Sequence, residues 1–275
     1  MIFADYHVHS EFSSDSKAPM EQMIEKAIEL GLKKICFTDH MDYDFPKVSE
    51  LRFVFDPKAY VQKLEELKDR YHKQIKILTG IELGLQPHLS QELSMLMKKY
   101  SFDFAIGSSH VVDRLDPYFP EYWENRSTEA GIVRYFESII ENIRSYQGFS
   151  VYGHIDYIIR YIPGFQPSLS SQVHHYDYYT YADLLDEVLK TIIAYDKGIE
   201  VNTAGLKYGL SHPHPRPEIL KRYLELGGEL ITIGSDAHKP EHLAYDFHLI
   251  PDLLQSLGFR YYATFEQGKP VYEKL

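Results

Sequence analysis

Short apolar runs alternate with amphipathic helical patterns along the whole chain, and this alternation narrows the choice of fold more than any other feature. The runs cover residues 2–9, 34–40, 75–83, 102–110, 150–156, 198–203 and 229–236, each of strand length and bounded by polar or glycine punctuation. Between the first two, PMEQMIEKAIELG puts Met20, Met23, Ile24, Ala27 and Ile28 on one helical face, with Pro19 early and Gly31 as a stop. Asp56-Pro57 opens a second helix that turns Tyr60, Val61, Leu64, Leu67 and Tyr71 inward. Further helices are expected over 89–99, 128–146, 181–195 and 217–226. Thr180 and Asp183 read as a capping box, Pro251 as an interruption of the last helical segment, and 113–123, rich in proline and aromatics, as the longest loop. Seven β-then-α units with no break in composition fit one α/β domain over residues 1–275, a parallel barrel, better than two domains. A doubly wound open sheet is the alternative, but no glycine-rich phosphate loop follows the first strand.

The chemistry sits at the strand ends. The first run ends in His7 and His9, two apart and so on one face of a strand whose side chains alternate. The second ends in Thr38-Asp39-His40, the third reaches Glu82, the fourth His110, the fifth holds His154, and the seventh ends in Asp236 and His238. In a parallel barrel all these ends meet at one face. A lone strand-end histidine is more often a hydrogen-bonded cap than a ligand. Six of seven strands ending in His, Asp or Glu is a different matter, because the 14 histidines would scatter over helices and loops by chance. The donors are nitrogen and carboxylate oxygen without sulfur, too many for one tetrahedral ion, and they suit two or three ions of Zn, Fe or Mn.

The remaining composition sets limits. The single cysteine, Cys36, lies in an apolar run and reads as a small buried hydrophobe, so neither a disulfide nor a thiolate cluster is expected. A net charge of −11 argues against a nucleic-acid partner. Neither a signal segment nor an apolar stretch long enough to span a membrane is seen, so the expectation is a cytoplasmic protein with no membrane partner. Among the other histidines, His72 and His88 are expected to be solvated and His174 and His175 to lie on the surface. His212 and His214 belong either to a surface loop or to a pocket rim, and nothing in the spacing requires His242 or His248 at the site.

The ordered set HxH, TDH, GxE, SSH, GH and DAH closely resembles the PHP (polymerase and histidinol phosphatase) superfamily, and within it the histidinol-phosphate phosphatase branch. ADYHVHSEFSSDSKAPMEQMIEKAIELGLKKICFTDH, GHIDYIIRY and GSDAH carry the resemblance, which runs from Tyr6 to His238. It implies a distorted (β/α)7 TIM-like barrel with up to three metals at the C-terminal ends of its strands. Carried over residue by residue, it suggests His7, His9, Glu82 and Asp236 on one metal, with Glu82 bridging to a second held by His110 and His154. A third would take His40, His238 and the residue six beyond His9, a histidine in several members. Here that residue is Asp15, which keeps a ligand oxygen but replaces a neutral donor with an anion.

Such a cluster fits hydrolysis of a small phosphorylated substrate, since metals lower the pKa of water to about 7 and neutralise charge on phosphoryl oxygens. They would also let an acidic protein accept an anion. The leaving alkoxide would need help from a third-site metal, a metal-bound water or a nearby acid, and Asp39 or His238 could assist. Arg160 is the first choice for a phosphate contact, Arg216 and Lys207 are weaker ones, and Asn202, which ends the strand without an obvious ligand, is a candidate substrate-binding residue or a supporting partner behind the ligands. The resemblance implies hydrolysis of L-histidinol phosphate in histidine biosynthesis. A phosphoesterase for nucleotides or other small esters and a non-catalytic metal-binding protein are the alternatives.

Overall fold

The computed structural model describes residues 2–47, 51–164 and 177–275. Seven parallel strand positions form a nearly closed barrel, in the order β1 (Ala4–Val8), β2 (Lys34–Phe37), β4 (Lys76–Gly84), β5 (Phe104–Ser108), β6 (Val151–Tyr152), β7 (Gly198–Asn202) and β8 (Ile231–Gly234). Each expected run supplies one position. The second run is broken: β2 pairs with the lower half of β4, and β3 (His40–Met41) resumes beside its upper half, with His40 opposite Glu82. At the break Thr38 turns aside, its Oγ1 accepting from the Val8 amide at 3.0 Å, and Asp39 binds the loop after β1. The seam between β8 and β1 is closed just above the strands, where the His9 amide donates to the Ala237 carbonyl at 2.9 Å.

Helices α1 (Met20–Glu29), α2 (Pro57–Tyr71), α3 (Ser90–Lys99), α4 (Pro120–Trp123), α5 (Thr128–Ser145), α6 (Ala182–Ala194), α7 (Ala204–Lys207), α8 (Pro217–Glu225) and α9 (Ile250–Leu257) fill the connections. The period-3.6 reading of the first two holds: Met20, Met23, Ile24 and Ala27 are buried on α1, and Tyr60, Leu64, Leu67 and Tyr71 on α2. Asp56 caps α2, accepting from the Lys58 amide at 3.0 Å, with Pro57 at the first helical position. Two boundary expectations fail. A 3₁₀ turn over Tyr178–Tyr181 leads into α6, so Tyr181 occupies the cap position without a side-chain bond, and Thr180 donates instead to Asp177. Pro251 opens α9 rather than interrupting a helix, since a first-turn amide has no partner for proline to remove. His174 and His175 lie outside the described residues. No helix among the described residues is long and apolar enough to cross a membrane.

A C-terminal hairpin, β9 (Tyr261–Glu266) and β10 (Lys269–Lys274), was not read from the sequence. Gln267 and Gly268 form its two-residue turn with φ of +51° and +73°, the left-handed pair that suits a tight hairpin. Its inner face closes the bottom of the barrel: Ala263 and Phe265 pack with Tyr6, Cys36, Leu78 and Phe104, and the Tyr6 hydroxyl donates to the Phe265 carbonyl at 2.9 Å. Cys36 is fully buried there, as expected of a small hydrophobe. The bottom is thus apolar and plugged, which leaves the opposite end for chemistry.

Candidate metal centre

The upper strand ends converge as the pattern of polar residues requires. His7 and His9 leave the same face of β1 and its extension, and their Nε2 atoms lie 3.2 and 3.6 Å from Glu82 Oε2. The same two atoms lie 3.9 and 3.5 Å from Asp236 Oδ1. Glu82, on β4, is the hub. Its Oε2 faces His7, His9 and His40 Nδ1, the last at 2.9 Å, while its Oε1 faces His110 and His154 Nε2 at 3.2 and 3.0 Å. A carboxylate whose two oxygens face two separate histidine groups has the geometry of a bridge. At the rim, Asp15 Oδ2 stands 3.1 Å from His238 Nε2 and 3.7 Å from His40 Nε2. The nine residues named from the sequence therefore lie in one connected cluster.

Supports behind the cluster fix which nitrogen of each ring faces it. His7 Nδ1 donates to Glu200 Oε1 at 2.5 Å, and His110 Nδ1 donates to Asp42 Oδ1 at 2.7 Å. His9 Nδ1 donates at 3.0 Å to Ser13 Oγ, whose own proton goes to Asp39 Oδ1 at 2.7 Å. With Nδ1 held as a donor, Nε2 is the nitrogen left to a metal once its own proton is displaced. Gly234 makes room for this packing, because a Cβ there would collide with His7 and Glu200. Asp236 and His154 hold left-handed backbone, with φ of +53° and +21°, a strain of about 1–3 kcal/mol of the sort that persists at functional sites.

The cluster is unsatisfied without an ion. His7, His9 and His238 Nε2, His40 and His154 Nδ1, and Glu82 Oε2 are buried without a hydrogen-bond partner among the described residues. Four triads bring their ligand atoms within 4.8 Å of one another: His9–His40–His238, His7–His9–Glu82, His40–Asp42–His110 and Glu82–His110–His154. Nitrogen and carboxylate oxygen in these numbers fit several ions of the Zn, Fe or Mn type. The grouping differs from the expectation: Asp42 joins His40 and His110, His9 rather than Asp15 completes the triad with His40 and His238, and Asp236 belongs to none of the four.

Electrostatics agree. Burial would raise Glu82, but His7, His110 and His40 outweigh it and hold the carboxyl well below the usual range. Asp236 is held down against burial chiefly by His7 and His9, and Asp15 by His40 and His238. Burial would lower His110, yet Asp42 and Glu82 push it up to about 10. Burial, with His238 and His40 beside it, drives His9 well below the ordinary histidine value.

The cluster floors a cavity of ≈ 570 Å³, and the other candidates separate into those that reach it and those that do not. Arg160 and Lys207 line it. Arg160 lies over the rings of Tyr208, Tyr157 and Tyr161 at 4.3, 4.8 and 5.3 Å, and no carboxylate among the described residues pairs with it. Lys207 Nζ donates to the Asp236 carbonyl at 2.9 Å. Two assignments need correction, Asp39 and Arg216, and so does the substrate-contact alternative for Asn202. Asp39 is fully buried, its oxygens taken by the Ser10 amide and hydroxyl and by Ser13 at 2.7–2.9 Å, so it steadies His9 and does not assist a leaving group. Asn202 lies behind the cluster, donating to Glu200 Oε2 at 3.2 Å and accepting from the Ala204 amide. Arg216 closes on Glu218 and is absent from the cavity wall.

Other groups were missed. Glu200 is a lone charge in the apolar run GIEVN, and Asp42 sits two residues past His40; both signals were in the sequence. Asp116, Lys239 and His242 also line the cavity. His214 belongs neither to a surface nor to the rim: it is buried, its Nδ1 2.6 Å from Asp156 Oδ1. His72, His88 and His248 are exposed, away from the cluster.

Comparison with known proteins agrees with this geometry. The "Probable histidinol-phosphatase" of Clostridium acetobutylicum is 33% identical over 90% of this chain and 90% of its own. The "Histidinol-phosphatase" of Lactococcus lactis is 28% identical over 96% of this chain and 95% of its own. A crystal structure of the histidinol phosphate phosphatase from Lactococcus lactis, complexed with Zn, L-histidinol and phosphate, superimposes with a TM-score of 0.85 at 27% identity, covering 98% of each chain. A structure from Listeria monocytogenes, 20% identical, shares the fold with a TM-score of 0.76 over 90% of this chain and 99% of its own. The PHP domain profile matches residues 5–204, so the chain belongs to the PHP domain family.

Proposed function

We propose that this chain is a cytoplasmic, metal-dependent phosphomonoesterase that hydrolyses L-histidinol phosphate to L-histidinol and inorganic phosphate, a step of histidine biosynthesis. The observation that carries the reading is one cavity in which a histidine–carboxylate cluster faces an arginine with no carboxylate partner among the described residues. It occurs in a chain that superimposes over nearly its whole length on a protein holding Zn, L-histidinol and phosphate. Residues 1–275 would act as one unit, because the C-terminal hairpin plugs the barrel whose other end carries the cluster.

In this reading His7, His9, Asp236 and Glu82 would hold one ion, Glu82 with His110 and His154 a second, and His40, His238 and Asp15 a third. Bound there, the ions would lower the pKa of water and neutralise charge building on the phosphoryl oxygens. Arg160 binds those oxygens, its guanidinium kept in place by three tyrosines. Lys207 adds a second positive charge from beneath Asp236. With His238 among the residues that would hold the third ion and Asp39 fully buried, help for the leaving alkoxide would come from that ion or from water it binds.

Steady-state kinetics on metal-loaded protein test the reading. L-histidinol phosphate should be turned over with a far higher kcat/KM than p-nitrophenyl phosphate or a nucleoside monophosphate. Equal values would remove the proposed substrate, and a preference for the nucleotide would favour the alternative phosphoesterase.

A further inference from the structure

Five carboxylates line the cavity: Asp15, Asp42, Glu82, Asp116 and Asp236. Four of them lie against histidines of the cluster. Asp116 does not. It is 8% exposed and sits in the aromatic segment after β5. Its side chain accepts one hydrogen bond, from the Tyr118 amide to Oδ1 at 2.8 Å, and no lysine, arginine or histidine among the described residues forms an ion pair with it. A carboxylate withdrawn from water with no cation in contact is costly to keep ionised, and burial pushes Asp116 up to about 6 against the Tyr118 amide and the more distant charge of His110. The neighbouring cavity wall is aromatic, built from Tyr118, Phe119, Tyr157 and Tyr161.

The substrate class has the complementary shape. L-Histidinol phosphate carries its phosphoryl group at one end, an ammonium on the carbon next to the ester-bearing carbon, and an imidazole beyond. The cluster and Arg160 serve the first of these and leave the other two without a partner. We propose that Asp116 is the specificity-determining residue for the amine half of the substrate: its carboxylate receives the α-ammonium of an amino-alcohol phosphate while the adjoining tyrosines receive the imidazole. The inference rests on the phosphomonoesterase reading, and it adds an acceptor selective for amines to a site otherwise built for phosphate.

The test compares Asp116→Asn, which keeps an oxygen for the Tyr118 amide, with the unmodified enzyme on three esters: L-histidinol phosphate, O-phosphoethanolamine and n-propyl phosphate. Loss of a charge-assisted hydrogen bond should lower kcat/KM roughly 10- to 100-fold for the two amine esters and less than about threefold for the propyl ester. Metal content should not change, and calorimetric binding of L-histidinol to the loaded protein should weaken in parallel. An equal loss on all three esters, or none on the amine esters, overturns the proposal. Should the variant not fold, the unmodified enzyme decides: L-histidinol should inhibit n-propyl phosphate hydrolysis about tenfold more strongly than its des-amino analogue, 3-(imidazol-4-yl)propan-1-ol. Equal inhibition refutes the assignment. A wild-type enzyme that handles L-histidinol phosphate no better than O-phosphoethanolamine would sink the substrate reading alone, since the contrast between amine and neutral esters stands apart from it.

Discussion

Replacing Glu200 by Gln should weaken metal binding without weakening the fold, and the reason is a single proton. Glu200 Oε1 accepts from His7 Nδ1 at 2.5 Å, while Oε2 accepts from the His154 amide at 3.0 Å and from Asn202 Nδ2 at 3.2 Å. A glutamine in the same space has one accepting oxygen, and the two donors at the Oε2 position will claim it. Its NH2 group then faces His7 Nδ1, and a donor against a donor is not tolerated in a fully buried site. The imidazole escapes by moving its proton to Nε2, where it can donate to Glu82 Oε2, 3.2 Å away. That bond satisfies the metal-free protein but occupies the lone pair that a metal requires. Binding an ion would force the ring back and leave two buried donors opposed, at about 1–3 kcal/mol. An apparent affinity loss of about 10- to 100-fold follows, in the range typical of groups that orient metal-ligating histidines.

Competition with a chromophoric chelator measures that affinity, and thermal unfolding of the chelated protein supplies the control. Glu200→Gln should melt within about 2 °C of the unmodified protein when metal-free, a shift of less than about 1 kcal/mol at this size. Its metal affinity and kcat/KM should fall together. Affinity within about threefold of the unmodified protein would refute the tautomer reasoning. A large drop in the metal-free melting temperature would show that Glu200 supports the fold rather than the ring.

His7→Ala and Asp236→Asn should each lose bound metal and activity together; full metal content by elemental analysis in both would remove them from the ligand set. Arg160→Ala should raise KM or lower kcat/KM for the phosphate ester by about 10- to 100-fold with metal content intact, as expected of a charge-assisted contact, and unchanged kinetics would dismiss that contact. Burial disfavours the charged forms of His7, His40 and His110, but their carboxylate neighbours outweigh it and raise all three in the metal-free protein. Metal must displace those protons, so apparent affinity should rise with pH and binding should release protons. Calorimetry in buffers of different ionisation enthalpy would detect the release, and a buffer-independent heat would contradict it. Asp39→Ala strands the Ser10 amide and two serine hydroxyls and should lower stability by about 3 kcal/mol or more; a melting temperature unchanged by the substitution would show that the serines find other partners.

The cluster was legible because a parallel barrel converts sequence position into spatial position. A polar residue that ends an apolar run lies at the rim, whichever strand carries it, and His7, Glu82, His154 and Asp236 could be gathered without contact information. The orienting groups have no such rule. Glu200 reaches His7 from a strand 193 residues away, and nothing in IEVN says whether its one charge faces the centre or a helix. Asp39 looked equivalent to its neighbour His40, but the chain turns at Thr38 and sends the two side chains to different partners. Asn202 was judged by its place at a strand end and Arg216 by its charge, whereas the backbone pairing of Asn202 with His214 and the buried contact between His214 and Asp156 decide where that loop lies. The hairpin was readable in principle, as two alternating runs about a Gln-Gly turn. Its role was not, because only the closed barrel creates a lower mouth for Phe265 to fill.

The two ends of the barrel meet the same constraint in opposite ways. A closed parallel sheet must fill its interior, and at the bottom Tyr6, Phe104 and Phe265 do so with rings that need almost nothing from water. At the top the interior holds carboxylates and imidazoles, and six of their atoms lack hydrogen-bond partners among the described residues. Hydrophobic side chains there would make a more stable barrel with no chemistry. The groups are tolerable only because cations can complete them, so the free energy of metal binding also stabilises the fold. The same reasoning explains why the supports are so thorough. An imidazole that could rotate would satisfy itself with Glu82 or Asp236, and the lone pairs would be spent inside the protein. Holding Nδ1 of His7, His9 and His110 on Glu200, Ser13 and Asp42 denies the rings that escape and keeps the cluster turned toward metal.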